Sequence, residues 1–169
     1  MKNLLLLSLL IFLTSNLFGQ TDKGLNWMTW EEVVEAEKKE PRKVFVDVYT
    51  DWCGWCKRMD MTTFKNKDFI EYMNTNYYMV KFDAEQKEDV VIGDSTFKYD
   101  AKIGRRGCHE LALTLLQGKM SYPTVVFLQS NFNIIQPLAG YRQGDEMLKV
   151  AKYLGEDIWK TQTWEEYNK

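Results

Sequence analysis

Apolar positions along this chain follow two patterns: short unbroken runs rich in β-branched residues, and longer stretches where they recur every three or four residues. Val44-Phe45-Val46-Asp47-Val48-Tyr49 is a run of the first kind and predicts a buried strand, with Asp47 as its charged member. Tyr78–Phe82, Thr124–Leu128 and Ile134–Leu138 predict three more. Among helices, Thr29 with Glu32 reads as a capping box and Met28 with Val33 as a hydrophobic staple, opening a helix from Trp30 to about Lys39 that Pro41 ends. Gly54–Phe64 has helix-forming character, with Cys56, Met59 and Phe64 on one side. Asn66 caps a further piece whose apolar face is Phe69, Ile70, Tyr72 and Met73. Cys108, Leu111, Ala112 and Leu115 form one helical stripe, ended by Gly118. Asp145–Leu154 predicts a closing helix and Trp164–Tyr167 a short terminal one. Trp27, Trp30, Trp159 and Trp164 read as packing residues.

The order of these elements constrains topology. The strand, helix, strand sequence from Val44 to Phe82 implies a right-handed parallel unit. The runs at 124–128 and 134–138, joined by the polar turn Gln129–Asn133, should pair antiparallel. Between the two units, Val90-Val91-Ile92, Gly93-Asp94-Ser95 and Thr96–Tyr99 read as a β-hairpin with a glycine turn.

Composition narrows the class. With 169 residues, 45% of them apolar and 27% charged, the chain suits one compact domain, placed at residues 26–169. Lys2, the apolar run Leu4–Leu13 and the small Gly19 predict a signal peptide over residues 1–19, cleaved after Gly19. The run falls short of the roughly 20 apolar residues a membrane span needs. Cleavage removes Lys2, so 21 basic and 24 acidic side chains remain, a net charge of −3. No basic stripe is present to neutralise phosphates, which argues against nucleic acid or an anionic membrane as partner.

Export decides how the cysteines are read, because thiols outside the cytosol tend toward disulfides. There are three, Cys53, Cys56 and Cys108, and an odd number cannot be a closed disulfide framework. A bond between Cys53 and Cys56 closes a loop of only a few residues and gives little entropic stabilisation, so chemistry explains the pair better than stapling. The segment Trp52-Cys53-Gly54-Trp55-Cys56-Lys57 follows a buried strand and opens a helix. Backbone N–H groups and the helix dipole there stabilise a thiolate on Cys53, expected to be reachable from solvent, and Lys57 adds positive charge. The thiolate is the attacking species in disulfide exchange.

Here the chain resembles the thioredoxin family. The segment Phe45-Val46-Asp47 through Lys57 follows the family's strand and active-site order, with Asp47 six residues before Cys53, where the family carries a buried acid. Tyr122-Pro123-Thr124 looks like its cis-proline segment, and Gly140 falls where it has a glycine after the last strand. The resemblance covers residues 43–155 and is loosest over an insertion at about 86–118. It implies an α/β, thioredoxin-like sandwich with a four-stranded mixed sheet, order 2-1-3-4, flanked by helices, with an inserted hairpin and helix. It further implies that Cys53 attacks, Cys56 resolves, and Asp47 takes and returns the Cys56 proton. Burial, which raises a carboxyl pKa, suits Asp47 to that task. Lys81 is placed as the partner of Asp47. A cis Pro123 would offer Tyr122 backbone groups to a substrate strand, with Trp52, Gly54 and Trp55 as the rim. Expected partners are protein thiols and disulfides and a membrane dithiol electron donor, with the protein a periplasmic monomer and no cofactor implied.

Two departures leave the redox direction open. Gly54-Trp55 replaces the glycine-proline of cytosolic thioredoxins, and Ser121 stands where a glycine is common. Reduction of disulfides is the leading reading. A disulfide oxidase or isomerase is the alternative within the class, and a non-catalytic substrate-binding module the alternative outside it. A Cys3His zinc site using Cys108 and His109 is disfavoured, because adjacent ligands suit one tetrahedral ion badly. Cys108 reads as a core residue and His109 as structural or surface.

Overall fold

A computed structural model describes residues 24–169. The expected signal peptide lies outside the described residues. Seven elements make up the part of the chain that carries Trp52–Lys57. They are β1 (Trp27–Met28), α1 (Trp30–Glu37), β2 (Lys43–Tyr49), α2 (Gly54–Met61), a 3-10 turn (Thr63–Lys65), α3 (Lys67–Asn76) and β3 (Tyr77–Asp83). The middle of the chain carries β4 (Val90–Ile92), β5 (Ser95–Phe97), β6 (Tyr99–Asp100), β7 (Cys108–His109) and α4 (Glu110–Leu115). The chain closes with β8 (Thr124–Leu128), β9 (Ile134–Ala139), α5 (Gly144–Gly155) and α6 (Trp164–Tyr167).

The main sheet has five strands in the order β1-β3-β2-β8-β9. β2 pairs parallel with β3 and antiparallel with β8, and β8 pairs antiparallel with β9. The order of the four long strands is the expected one. The count of four is corrected by β1, whose Trp27 and Met28 sit parallel against Met79 and Val80. Two residues are too few to show a period, so this strand left no mark in the apolar pattern.

Side chains alternate across β2 and sort the core into two layers. Val44, Val46 and Val48 join Trp30 and Val33 of α1 and Leu111, Ala112 and Leu115 of α4 on one face. Phe45 belongs to the other face, with Met59 of α2, Phe69 and Met73 of α3, and Met147, Ala151 and Leu154 of α5. By this alternation Asp47 points to the Phe45 face, the one that α2 covers. Four aromatic rings, Trp27, Phe64, Phe69 and Phe127, surround Phe45 at centroid distances of 5.2–6.5 Å.

The capping signals act as read. Thr29 and Glu32 form a reciprocal capping box, and Asn66 accepts from the Phe69 N–H at 2.9 Å. The middle segment needs correction. β4 and β5 form a hairpin with Gly93 (φ 59°) in its turn. Tyr99, read as part of that hairpin, instead pairs with His109 in the separate β6–β7 ladder. Cys108 and His109 therefore precede α4 rather than belonging to it. His109 is its N-cap, with Nδ1 accepting from the Leu111 N–H at 3.2 Å. Cys108 is still buried beside Leu111, because an extended residue before a helix can face the same core. Trp30 is buried, whereas Trp159, expected to pack, keeps 36% of its surface exposed.

Candidate redox site

β2 ends at Tyr49 and the chain turns over Thr50–Trp52 before α2 starts, with the Cys53 N–H bonded to the Thr50 carbonyl at 3.0 Å. Cys53 is the N-cap of α2. Its Sγ accepts the Cys56 N–H at 3.0 Å, so the sulfur takes one of the donors that a helix start leaves without an internal partner. Cys53 and Cys56 are disulfide-bonded. In this oxidised state Cys53 is 5% and Cys56 3% exposed, so the sulfurs are more covered than the expected solvent-reachable thiol.

Aromatic rings stand around them. Trp52 and Trp55 are 52% and 62% exposed. Trp52 meets Tyr122 edge-on at 5.8 Å and donates from its indole N–H to Glu85 at 3.0 Å. Trp55 lies 5.4 Å from Tyr141. The Tyr122–Pro123 peptide bond is cis. Pro123 leads into Thr124, which opposes Val48 at the end of β2 nearest the cysteines. Gly54 opens α2 and a Cβ there would meet nothing. Lys57 is exposed on the first turn of α2.

Asp47 is 1% exposed, and neither carboxylate oxygen has a hydrogen-bond partner among the described residues. Lys81, its register partner on β3, brings Nζ to 3.5 Å, an ion pair too long for a good hydrogen bond. Burial pushes the Asp47 carboxyl up from the ordinary 3.8 to about 7, with Lys81 opposing and Asp60 reinforcing the rise. Lys81 also pairs directly with Asp60 of α2. Its ammonium lies over three rings, Tyr49 at 5.1 Å and Trp27 and Phe64 at 5.6 Å each.

Sequence reasoning passed over Asp60, Tyr141, Glu85 and Arg106, whose guanidinium lies 5.5 Å from the Trp52 ring centre. Asp60 carried a readable signal, since it falls four residues after Cys56 on the same helix face. The other three reach the site through the fold and left no local sign. Cys108 stands under Tyr122. Its thiol donates to the His109 carbonyl at 3.4 Å, and burial pushes its pKa up. Among the described residues no group of three or more His, Cys, Asp or Glu side chains gathers to hold a metal.

A family model described as "Thioredox_DsbH: Protein of unknown function, DUF255" matches residues 9–140. Spermatogenesis-associated protein 20 of Rattus norvegicus is 31% identical over 67 residues, 39% of this chain. The match spans only 8% of that relative's length. A solved DsbH oxidoreductase superposes with a TM-score of 0.55 at 18% identity, over 83% of this chain and 88% of that one. A candidate disulphide isomerase from Bacteroides thetaiotaomicron has a TM-score of 0.54 at 26% identity, over 77% of this chain and 92% of its own.

Proposed function

Because this chain belongs to the thioredoxin-like DsbH family, we propose that it is an exported thiol–disulfide oxidoreductase that reduces protein disulfides in the periplasm. The observation that carries the reading is the Cys53–Cys56 disulfide at the start of α2, with a backbone N–H aimed at the Cys53 sulfur. That donor and the helix dipole favour negative charge on Cys53 once the bond is reduced.

In the reduced protein the Cys53 thiolate attacks one sulfur of a substrate disulfide. A mixed disulfide forms and the other substrate sulfur leaves as a thiolate. Cys56 gives its proton to Asp47 and attacks Cys53 Sγ. The Cys53–Cys56 bond closes, and the second substrate sulfur leaves and is protonated. Two electrons have passed from the protein dithiol to the substrate. Asp47 suits the proton step because its affinity for a proton lies near neutral pH. Lys81 holds positive charge beside it. Trp52, Trp55 and Tyr122 supply the apolar rim, Pro123 enters β8 at the end of β2 nearest the cysteines, Gly54 leaves the approach open and Lys57 adds positive charge. A membrane dithiol carrier restores the reduced form. No described helix is long and apolar enough to cross a membrane.

The test is insulin-disulfide reduction by wild type and Cys53→Ser. The serine variant should be inactive, and equal activity in the two would end the enzymatic reading. A reduction potential near −270 mV would fit a reductase, whereas a value near −120 mV would mark an oxidant.

A further inference from the structure

Next to the redox pair the inserted segment builds a groove of about 660 Å³. Trp52, Tyr122 and Met120 line one part, and the loop from Ile103 to Gly107 lines the rest. Arg105 and Arg106 are exposed on that loop, and neither has a carboxylate partner among the described residues. The groove's one carboxylate, Glu85, already accepts the Trp52 indole N–H. Two guanidiniums without a carboxylate partner, that of Arg106 lying against Trp52, outweigh Glu85 and give the groove a positive lining in a chain with net charge −2. We propose that this groove seats an acidic segment flanking the substrate disulfide, held by Arg105 and Arg106 while its apolar side chains lie on Trp52, Tyr122 and Met120. This rests on the reductase reading above and names its substrate class.

The test uses pre-reduced protein in single turnover with three cyclic disulfide peptides that differ only in Glu, Gln or Lys flanks, and with hydroxyethyl disulfide. Fluorescence anisotropy on the oxidised protein measures peptide binding separately. The Glu peptide should bind and react about tenfold better than the Lys peptide at low salt, a preference that salt erases. Arg105→Glu with Arg106→Glu should invert the order. Equal binding of the three peptides, or a preference that survives the double reversal, would overturn the proposal. Failure to reduce hydroxyethyl disulfide would sink the reductase reading alone, since anisotropy still reports on the groove.

A separate observation concerns Asp60. The Lys81 ammonium is shared between a buried carboxylate with no hydrogen bond and a half-exposed one that it touches closely. Val125 opposes Asp47 from β8, so the charged and titratable groups facing Asp47 are Lys81 of β3, Asp60 of α2 and the Tyr49 phenol. We infer that Asp60 is a positioning residue that draws the Lys81 ammonium off Asp47 and so leaves the buried carboxylate less compensated. Carboxyl 13C titration of Asp47 reads this without any activity. Asp60→Asn should lower the midpoint by about one pH unit, a tenfold loss of proton affinity, and Lys81→Met should raise it. In Lys81→Met the Asp60→Asn effect should shrink to the direct repulsion between the two carboxylates. An Asp47 midpoint unmoved by Asp60→Asn would overturn the assignment.

Discussion

Replacing Asp47 by asparagine keeps the shape of the side chain and removes its ionisation. The folded protein holds the Asp47 proton up to about pH 7, while the ordinary carboxyl of the unfolded chain gives it up near 3.8. Between those values the folded state binds more protons than the unfolded one, so stability falls as pH rises. The gap is roughly three decades of proton affinity, and at ~1.4 kcal/mol per decade wild type should lose about 4 kcal/mol between pH 4 and pH 8. Solvent screening takes little from this figure, because Asp47 is 1% exposed. The asparagine variant should lack the loss. Its buried amide costs about 1–3 kcal/mol at every pH and shifts the whole curve without changing its slope. Urea unfolding of both oxidised proteins at unit steps from pH 4 to pH 9 measures the difference. A stability gap that stays constant across that range would refute a carboxyl titrating near neutrality, and with it the proton-transfer role given to Asp47.

Other outcomes follow from single contacts. Phe45→Ala opens a void among four rings and should cost about 3–5 kcal/mol in urea unfolding, with values under 1 kcal/mol ruling out the packing described. Gly107→Ala places a Cβ on the Tyr99 ring at a residue with φ 79°, so amide exchange in the β6–β7 ladder should accelerate while that of β2 stays slow. Tyr77→Phe removes the bond from its hydroxyl to the Ala151 carbonyl at 2.7 Å and should cost about 1–3 kcal/mol in thermal unfolding; an unchanged midpoint would deny that bond a role.

Legibility in the sequence followed the range of the forces involved. The long strands and capped helices are local patterns, and runs such as Val44–Tyr49 or the Thr29–Glu32 pair announce themselves within a few residues. The Cys53–Cys56 pair was readable because two cysteines at that spacing stand at a strand-to-helix junction, and the structure joins them in a disulfide. β1 was not, since two residues gain their conformation from the edge of β3 rather than from their own pattern. Cys108 fitted a helical stripe by spacing, yet the ladder with Tyr99–Asp100 claims it, and no local signal separates the two outcomes. The sharing of Lys81 between Asp47 and Asp60 joins three elements and exists only once the sheet and α2 are assembled.

The outer strand β9 carries Pro137, opposite Val126. Proline has no N–H, and an edge strand accommodates it only with the nitrogen turned away from the sheet. The open flank of β9 thus lacks a donor at mid-length, where an incoming strand from another molecule would need one. Side-by-side stacking of copies through this flank is interrupted at its centre, which protects a largely apolar border strand against strand-to-strand association.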